Sequence, residues 1–136
     1  MHIEKYSSDN FQTINSWAKS RNKEIIPLFL SENGFLVKDE NEPILVVFVY
    51  FLLGVPVVQL DYFLSKPGIS FWKLKKAWKT LFPFIKDYLN EIYKIGGPKY
   101  HLINCNIDSR LGKHLKNTDN LWIVTGENTK ALSYII

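Results

Sequence analysis

Few side chains in this sequence are of a type and spacing that could do chemistry. Gln59 and Asp61 stand two apart in the otherwise apolar run Val55–Leu64, and that spacing puts both on one face of a strand. A carboxylate inside such a strand is costly to bury unpaired. Either the strand end reaches solvent or a lysine partner there, or Asp61 serves as a general base; the residues leave both readings open. Just downstream, Ser65-Lys66-Pro67-Gly68 turns into a long lysine-studded segment, and the turn Ser65–Ser70 is where a ligand is expected. His2, His101, His114 and Cys105 show no metal-ligand spacing, so no metal site is expected. Cys105 reads as a buried small hydrophobe, and a single cysteine excludes a disulfide framework.

The elements that must position these residues are legible from pattern. Ile44–Leu53 and Val55–Leu64, joined at Gly54-Val55-Pro56, are apolar on both sides, as strands in the middle of a sheet covered by helices on each face are. The same stretch approaches the length of a membrane span, but its central Gly-Val-Pro, its β-formers and its flanking acids Glu40, Glu42 and Asp61 argue for two strands instead. Phe71–Ile95 is an amphipathic helix: Phe71, Leu74, Trp78, Leu81, Phe82, Ile85, Leu89 and Ile92 share one side. Lys75, Lys76, Lys79, Lys86 and Lys94 share the other, with Trp72 among them. Pro83 predicts a kink or a break into two helices.

Around this unit, His2–Tyr6 reads as an edge strand and Asn10–Ser20 as a helix capped from Ser7-Ser8-Asp9. Ile25–Leu30, broken by Pro27, reads as a short helical turn or loop, Phe35–Lys38 as a strand, and Asp39–Glu42 as a hairpin loop. Tyr100–Asn106 follows as a strand, then a short helix over Ser109–Lys116 with Asp108 as its cap and a turn at Asn117–Asn120. Leu121–Thr125 and Ala131–Ile136 form a hairpin through Gly126-Glu127-Asn128. The whole is a single domain over residues 1–136, a mixed α+β fold: a mostly antiparallel sheet of about six or seven strands with helices on both faces.

This order, with a long helix after the fourth strand, resembles the GNAT fold of acyl-CoA-dependent N-acyltransferases. Trp17, Pro27-Leu28-Phe29-Leu30 running into Gly34-Phe35-Leu36-Val37, and Leu64-Ser65-Lys66-Pro67 are similar to stretches of small GNAT-like proteins encoded by phages and prophages. The resemblance implies acetyl-CoA or another acyl-CoA as cofactor, with its pyrophosphate in the turn before the long helix. The family pattern Arg/Gln-x-x-Gly-x-Gly/Ala falls on Trp72–Ala77: Trp72 stands where the arginine would be, Lys75 stands at the inner glycine with Lys73 two residues before it, and Ala77 keeps the small residue. The cofactor set so implied is Leu64, Ser65, Lys66, Gly68, Lys73, Lys75, Ala77 and Asn106, the last opening a match to Asn-x-x-Ala. The family's tyrosine acid is absent; His114 lies beside its position, Asp61 is the implied base, and a backbone N–H near Leu64 the oxyanion donor.

Two readings therefore compete: an N-acyltransferase acting on a small-molecule or protein amine, or a non-catalytic GNAT-fold protein serving a phage as a binding or assembly component. A third, nucleic-acid binding through Lys73, Lys75, Lys76 and Lys79 with Trp72, is outweighed by a solvated helix face, since the net charge is only +4. The expected setting is the cytoplasm, that of a bacterial host if phage-encoded, with no membrane partner and with a homodimer allowed.

Overall fold

The computed structural model of the chain describes residues 1–107, 109–118, 122–124 and 131–136. The strands are β1 (His2–Lys5), β2 (Gly34–Asp39), β3 (Glu42–Phe51), β4 (Val57–Ser65), β5 (Leu102–Asn106), β6 (Trp122–Val124) and β7 (Ala131–Ile135). The helices are α1 (Phe11–Lys19), α2 (Phe71–Lys94) and α3 (Ser109–Thr118), with single 3₁₀ turns at Ser8–Asn10 and Pro27–Phe29. One seven-stranded sheet runs in the order β1-β2-β3-β4-β5-β7-β6. Every neighbouring pair is antiparallel except β4 and β5. The mixed α+β, mostly antiparallel architecture expected from the sequence is the one observed.

The apolar strands β3 and β4 do occupy the middle of the sheet. Alternation divides their side chains between two cores. Leu36, Val46, Phe48 and Leu64 pack beneath Ile14, Trp17 and Ala18 of α1. Val37, Leu45, Val47, Val49, Val58, Leu60, Ile103 and Cys105 pack on the other side against α2 and α3. α2 buries Leu74, Ala77, Trp78, Leu81, Phe82, Ile85 and Leu89; each large apolar side chain so covered contributes roughly 1.5–3 kcal/mol.

Of the kink or break into two helices expected at Pro83, the break does not occur: α2 is one continuous helix of 24 residues. The proline sits on the exposed side, flanked by buried Phe82 and Ile85, and their burial holds both halves of the helix on the sheet against the lost backbone bond. The loop between β2 and β3 tightens to Glu40 and Asn41, both at positive φ (50° and 67°), which is the two-residue hairpin turn whose twist matches the strands. The cap expected of Asp108, the far end of the turn expected at Asn117–Asn120, and Gly126-Glu127-Asn128 lie outside the described residues. No helix among the described residues is long and apolar enough to cross a membrane.

At Gly34 the α1-side core leaves no room for a side chain. A Cβ there would stand 2.5 Å from Phe48 Cε1 and 2.9 Å from Tyr6 Cβ, and the Phe48 ring is fully buried, edge-on to Tyr6. Gly34→Ala is therefore expected to destabilise the fold by about 1–3 kcal/mol. Urea denaturation checks this; an unchanged midpoint would contradict the packing described.

Candidate functional site

The site begins with one extra residue. Leu45 pairs with Ser65 and Val46 with Leu64, yet Phe48 pairs with Asp61. Val47 of β3 thus faces both Tyr62 and Phe63 of β4, which is a β-bulge. Tyr62 adopts the left-handed conformation at φ 49°, and its amide, taken out of the ladder, donates to Asp61 Oδ1 at 2.7 Å. The bulge sends the Tyr62 ring to the α1 side, near Phe48 and Tyr50 at 6.3 and 6.5 Å. Phe63 goes to the other side, against Trp78 at 5.8 Å.

The parallel ladder of β4 with β5 runs from Val57–Leu102 to Leu60–Cys105 and stops there, one residue before Asp61. Beyond that point β4 continues to Ser65 along β3 alone, and the two parallel strands part. The opening lies at the carboxyl ends of the one parallel pair. Lys66 N–H donates to Ile44 O at 2.9 Å. Amides alternate along a strand, so Leu64 N–H also turns toward β3. The amides on the opening side are those of Phe63 and Ser65.

The residues singled out from sequence fall into separate places. Ser65 is buried, and Arg21 donates to its carbonyl at 2.8 Å and to its Oγ at 3.2 Å while also reaching the Trp17 carbonyl at 3.1 Å. Lys66 is ion-paired with Glu42. Lys73 pairs with Asp39 at 3.0 Å, and this contact holds the Asp39 carboxyl below, and the Lys73 ammonium above, their ordinary ranges. Gly68 stands at φ 79° with Ile69 N–H donating to Lys66 O at 3.3 Å, so Pro67-Gly68 fills the centre of a tight turn that only a glycine enters without strain. Ser70 caps α2, its Oγ accepting from Lys73 N–H at 3.2 Å. Ala77 is fully buried under the helix.

Two clusters result, one on each side of the sheet. On the α2 side, Phe71 is surrounded by Lys75 Nζ at 5.7 Å, the Arg110 guanidinium at 5.9 Å and the His114 ring, edge-on at 6.2 Å. Lys75 also lies 4.4 Å over the ring of Trp72, which is 75% exposed. On the α1 side, Asp61 shares a face with Gln59, and the register carries that face to Asn104 and then to Asn106 at the exposed end of β5. Asp61 and His114 are thus divided by the sheet, joined only through the opening. A depression of about 480 Å³ lined by Tyr6, Phe11, Pro27, Leu30 and Ser31 lies elsewhere and contains none of these residues.

Sequence reasoning missed Arg21, Arg110 and Tyr62. Asp61-Tyr62-Phe63 carries no glycine or asparagine to announce a left-handed residue, and nothing local ties Arg21 to a strand 44 positions away.

Burial, and then the charges of Lys75 and Lys79, hold the His114 pKa below its ordinary value of 6.5. The unfolded chain therefore takes up this proton first, and stability at this residue falls as the pH drops through that range. In an NMR titration His114 is expected to titrate below 6.5, the ordinary value, and the pair Lys75→Met/Lys79→Met should move it only part of the way back, since burial is the larger cause. A value at or above 6.5 would contradict this placing of His114 beside Phe71 and the lysines.

No protein-family model matches the sequence, and no curated protein matches it either. Solved structures do match in shape. N-acetylglutamate synthase from Neisseria gonorrhoeae, solved with coenzyme A and N-acetyl-glutamate, superposes at a TM-score of 0.66 with 8% identity over 98% of this chain. The chain spans 34% of that synthase's length. A GNAT-family acetyltransferase from Staphylococcus aureus superposes at 0.61 with 9% identity, covering 98% of both chains. A GNAT-family N-acetyltransferase from Escherichia coli in complex with CoA superposes at 0.56 with 12% identity, over 98% of this chain and 80% of its own. The chain has the GNAT fold.

Proposed function

We propose that this chain is an acyl-CoA-dependent N-acyltransferase, and that the opening between β4 and β5 holds the acyl-pantetheine arm. The observation that carries the reading is the bulge at Asp61–Tyr62: it ends the parallel ladder and leaves the Phe63 and Ser65 amides on the opening side. An amide in that position can bond the thioester carbonyl and the negative charge it gains under attack. The GNAT fold, with coenzyme A present in several solved structures that share it, supports the same reading.

The turn also supports it, in a different register from the one the sequence suggested. α2 begins at Phe71, so Trp72–Ala77 lies inside its first two turns, with Lys75 and Ala77 amides committed to the helix. Ser65-x-x-Gly68-x-Ser70 keeps the spacing of Arg/Gln-x-x-Gly-x-Gly/Ala and occupies the turn itself. In this reading Gly68 and the first amides of α2 receive the pyrophosphate, and Lys75 and Arg110 around Phe71 add positive charge.

The chemistry is direct transfer. The acceptor nitrogen attacks the thioester carbonyl, a C–N bond forms and the C–S bond breaks. Asp61 accepts the amine proton through a water, and His114 relays a proton to the departing thiolate. Such a reaction belongs in the cytoplasm, where acyl-CoA is made.

One observation favours a second reading. The cations nearest the turn are spent on other partners, Lys66 on Glu42 and Lys73 on Asp39, and Ser70 occupies the Lys73 amide. A non-catalytic GNAT-fold component of a phage or prophage would carry such a turn.

Acetyl-CoA should raise the melting temperature, with about 2.7 kcal/mol gained at a hundred times its Kd, and an amine should then release free thiol. Asp61→Asn should lower kcat by about a hundred- to ten-thousand-fold while acetyl-CoA still binds. No thermal shift at millimolar acetyl-CoA would sink the transferase reading and leave the second.

A further inference from the structure

The α1-side face of the sheet beyond α1 has a composition that the fold does not call for. Tyr50, Gln59, Asn104 and Ser133 stand opposite one another across β3, β4, β5 and β7, a row about 14 Å long at the ~4.8 Å strand spacing. Among the described residues of β5 and β7, none belongs to the apolar cluster under α1. The same strands turn Ile103, Cys105, Leu132 and Tyr134 the other way into the main core. Ser133, itself buried, donates from Oγ to Asn104 Oδ1 at 2.5 Å, so the donors that Asn104 offers a ligand are its amide hydrogens. Gln59, Asn104 and Tyr62 are half-buried and Asn106 is exposed. Asp61, two residues along β4 and so ~7 Å from Gln59, is the only charged residue in β4, β5 or β7. Arg21 lies farther along, held on Ser65 and Trp17.

We infer that this face seats the acceptor, and that the acceptor is an aminated sugar or a similarly polyhydroxylated amine. The inference rests on the transferase reading above and names its substrate class. Neutral carboxamides that both donate and accept match neighbouring hydroxyl groups, and the rings of Tyr50 and Tyr62 offer flat apolar surface for the C–H face of a sugar. Asp61 complements the ammonium and stands beside the opening where the thioester carbonyl would lie. An amino acid would bring a carboxylate to strands β4, β5 and β7, which hold no cation. The apolar row on this face, Val57, Leu102 and Ile135, lies four residues from Asp61 along β4, ~14 Å away and out of reach of a short alkylamine held there.

The test is a ¹⁵N-NMR titration of the whole chain with D-glucosamine and its β-1,4-linked trimer, alongside D-glucose, L-alanine and butylamine. The side-chain amides of Gln59, Asn104 and Asn106 should shift with the aminated sugars, and glucose, alanine and butylamine should bind at least tenfold more weakly. Asn104→Ala and, separately, Gln59→Ala should each weaken the trimer severalfold without altering acetyl-CoA affinity; the second variant leaves the Ser133 bond intact. If acetyl-CoA binds but all five probes bind alike or none binds, the inference is overturned and the transferase reading stands. If the aminated sugars bind as described but acetyl-CoA does not, the sugar site stands and the transferase reading fails.

Discussion

A single extra residue in β4, at Asp61–Tyr62, is the constraint on which the site depends. Its left-handed backbone is an unfavourable conformation for a tyrosine, costing of order 1–2 kcal/mol. The structure offsets this locally: Asp61 Oδ1 takes the displaced Tyr62 amide, and the Tyr62 ring is received beside Phe48 and Tyr50. On the β3 side the ladder resumes at once, through Leu64 and Lys66. On the β5 side it does not resume at all. A strand held on one edge and released on the other presents unpaired backbone groups to a gap, which buried backbone tolerates only with a partner. Arg21 supplies one for the Ser65 carbonyl; the neighbouring amides are the ones assigned to the thioester.

The bulge also separates charge. Cations gather where α2 and α3 meet, around Phe71 and His114, while on the opposite side of the opening the strands β4, β5 and β7 carry one carboxylate, Asp61, among neutral amides and tyrosines. An anionic cofactor and a cationic acceptor could therefore approach from opposite sides of one sheet and meet at the gap. Pairing Lys73 with Asp39 and Lys66 with Glu42 ties the start of α2 and the turn before it to the β2–β3 hairpin. These exposed pairs contribute little energy, but they occupy charges that the sequence made look available.

Most of the fold was legible because it rests on periodicity. The two-sided apolar runs that became β3 and β4, set apart from a membrane span by their central Gly-Val-Pro, and the lysine-and-leucine alternation of α2 are both set by pattern. A break at Pro83 was expected because a local rule, the missing backbone bond, was set against nothing; burial of Phe82 and Ile85 on either side keeps the helix continuous. The site was legible only in part. Asp61 stood out as a carboxylate in an apolar strand, and Gly68 as a turn glycine. The register proposed above for the phosphate turn was not, because it depends on where α2 starts, and a helix start capped by Ser70 cannot be told from one a turn later by pattern alone. Lys66 and Lys73 looked like phosphate ligands because their acidic partners lie 24 and 34 residues away. The bulge left no trace, since it is a matter of how two strands register rather than of residue type.

The central claim is that the gap between β4 and β5 is the cofactor slot. Its most direct measurement is a ¹⁵N-NMR titration with coenzyme A that follows backbone amides on both strands. Phe63, Ser65, Gly68, Asn106 and Ile107 should show the largest changes, with Val46 and Leu64, whose amides lie in the β3–β4 ladder, moving little. Changes confined to the lysine face of α2 around Trp72, with Phe63, Ser65 and Asn106 unmoved, would contradict the account.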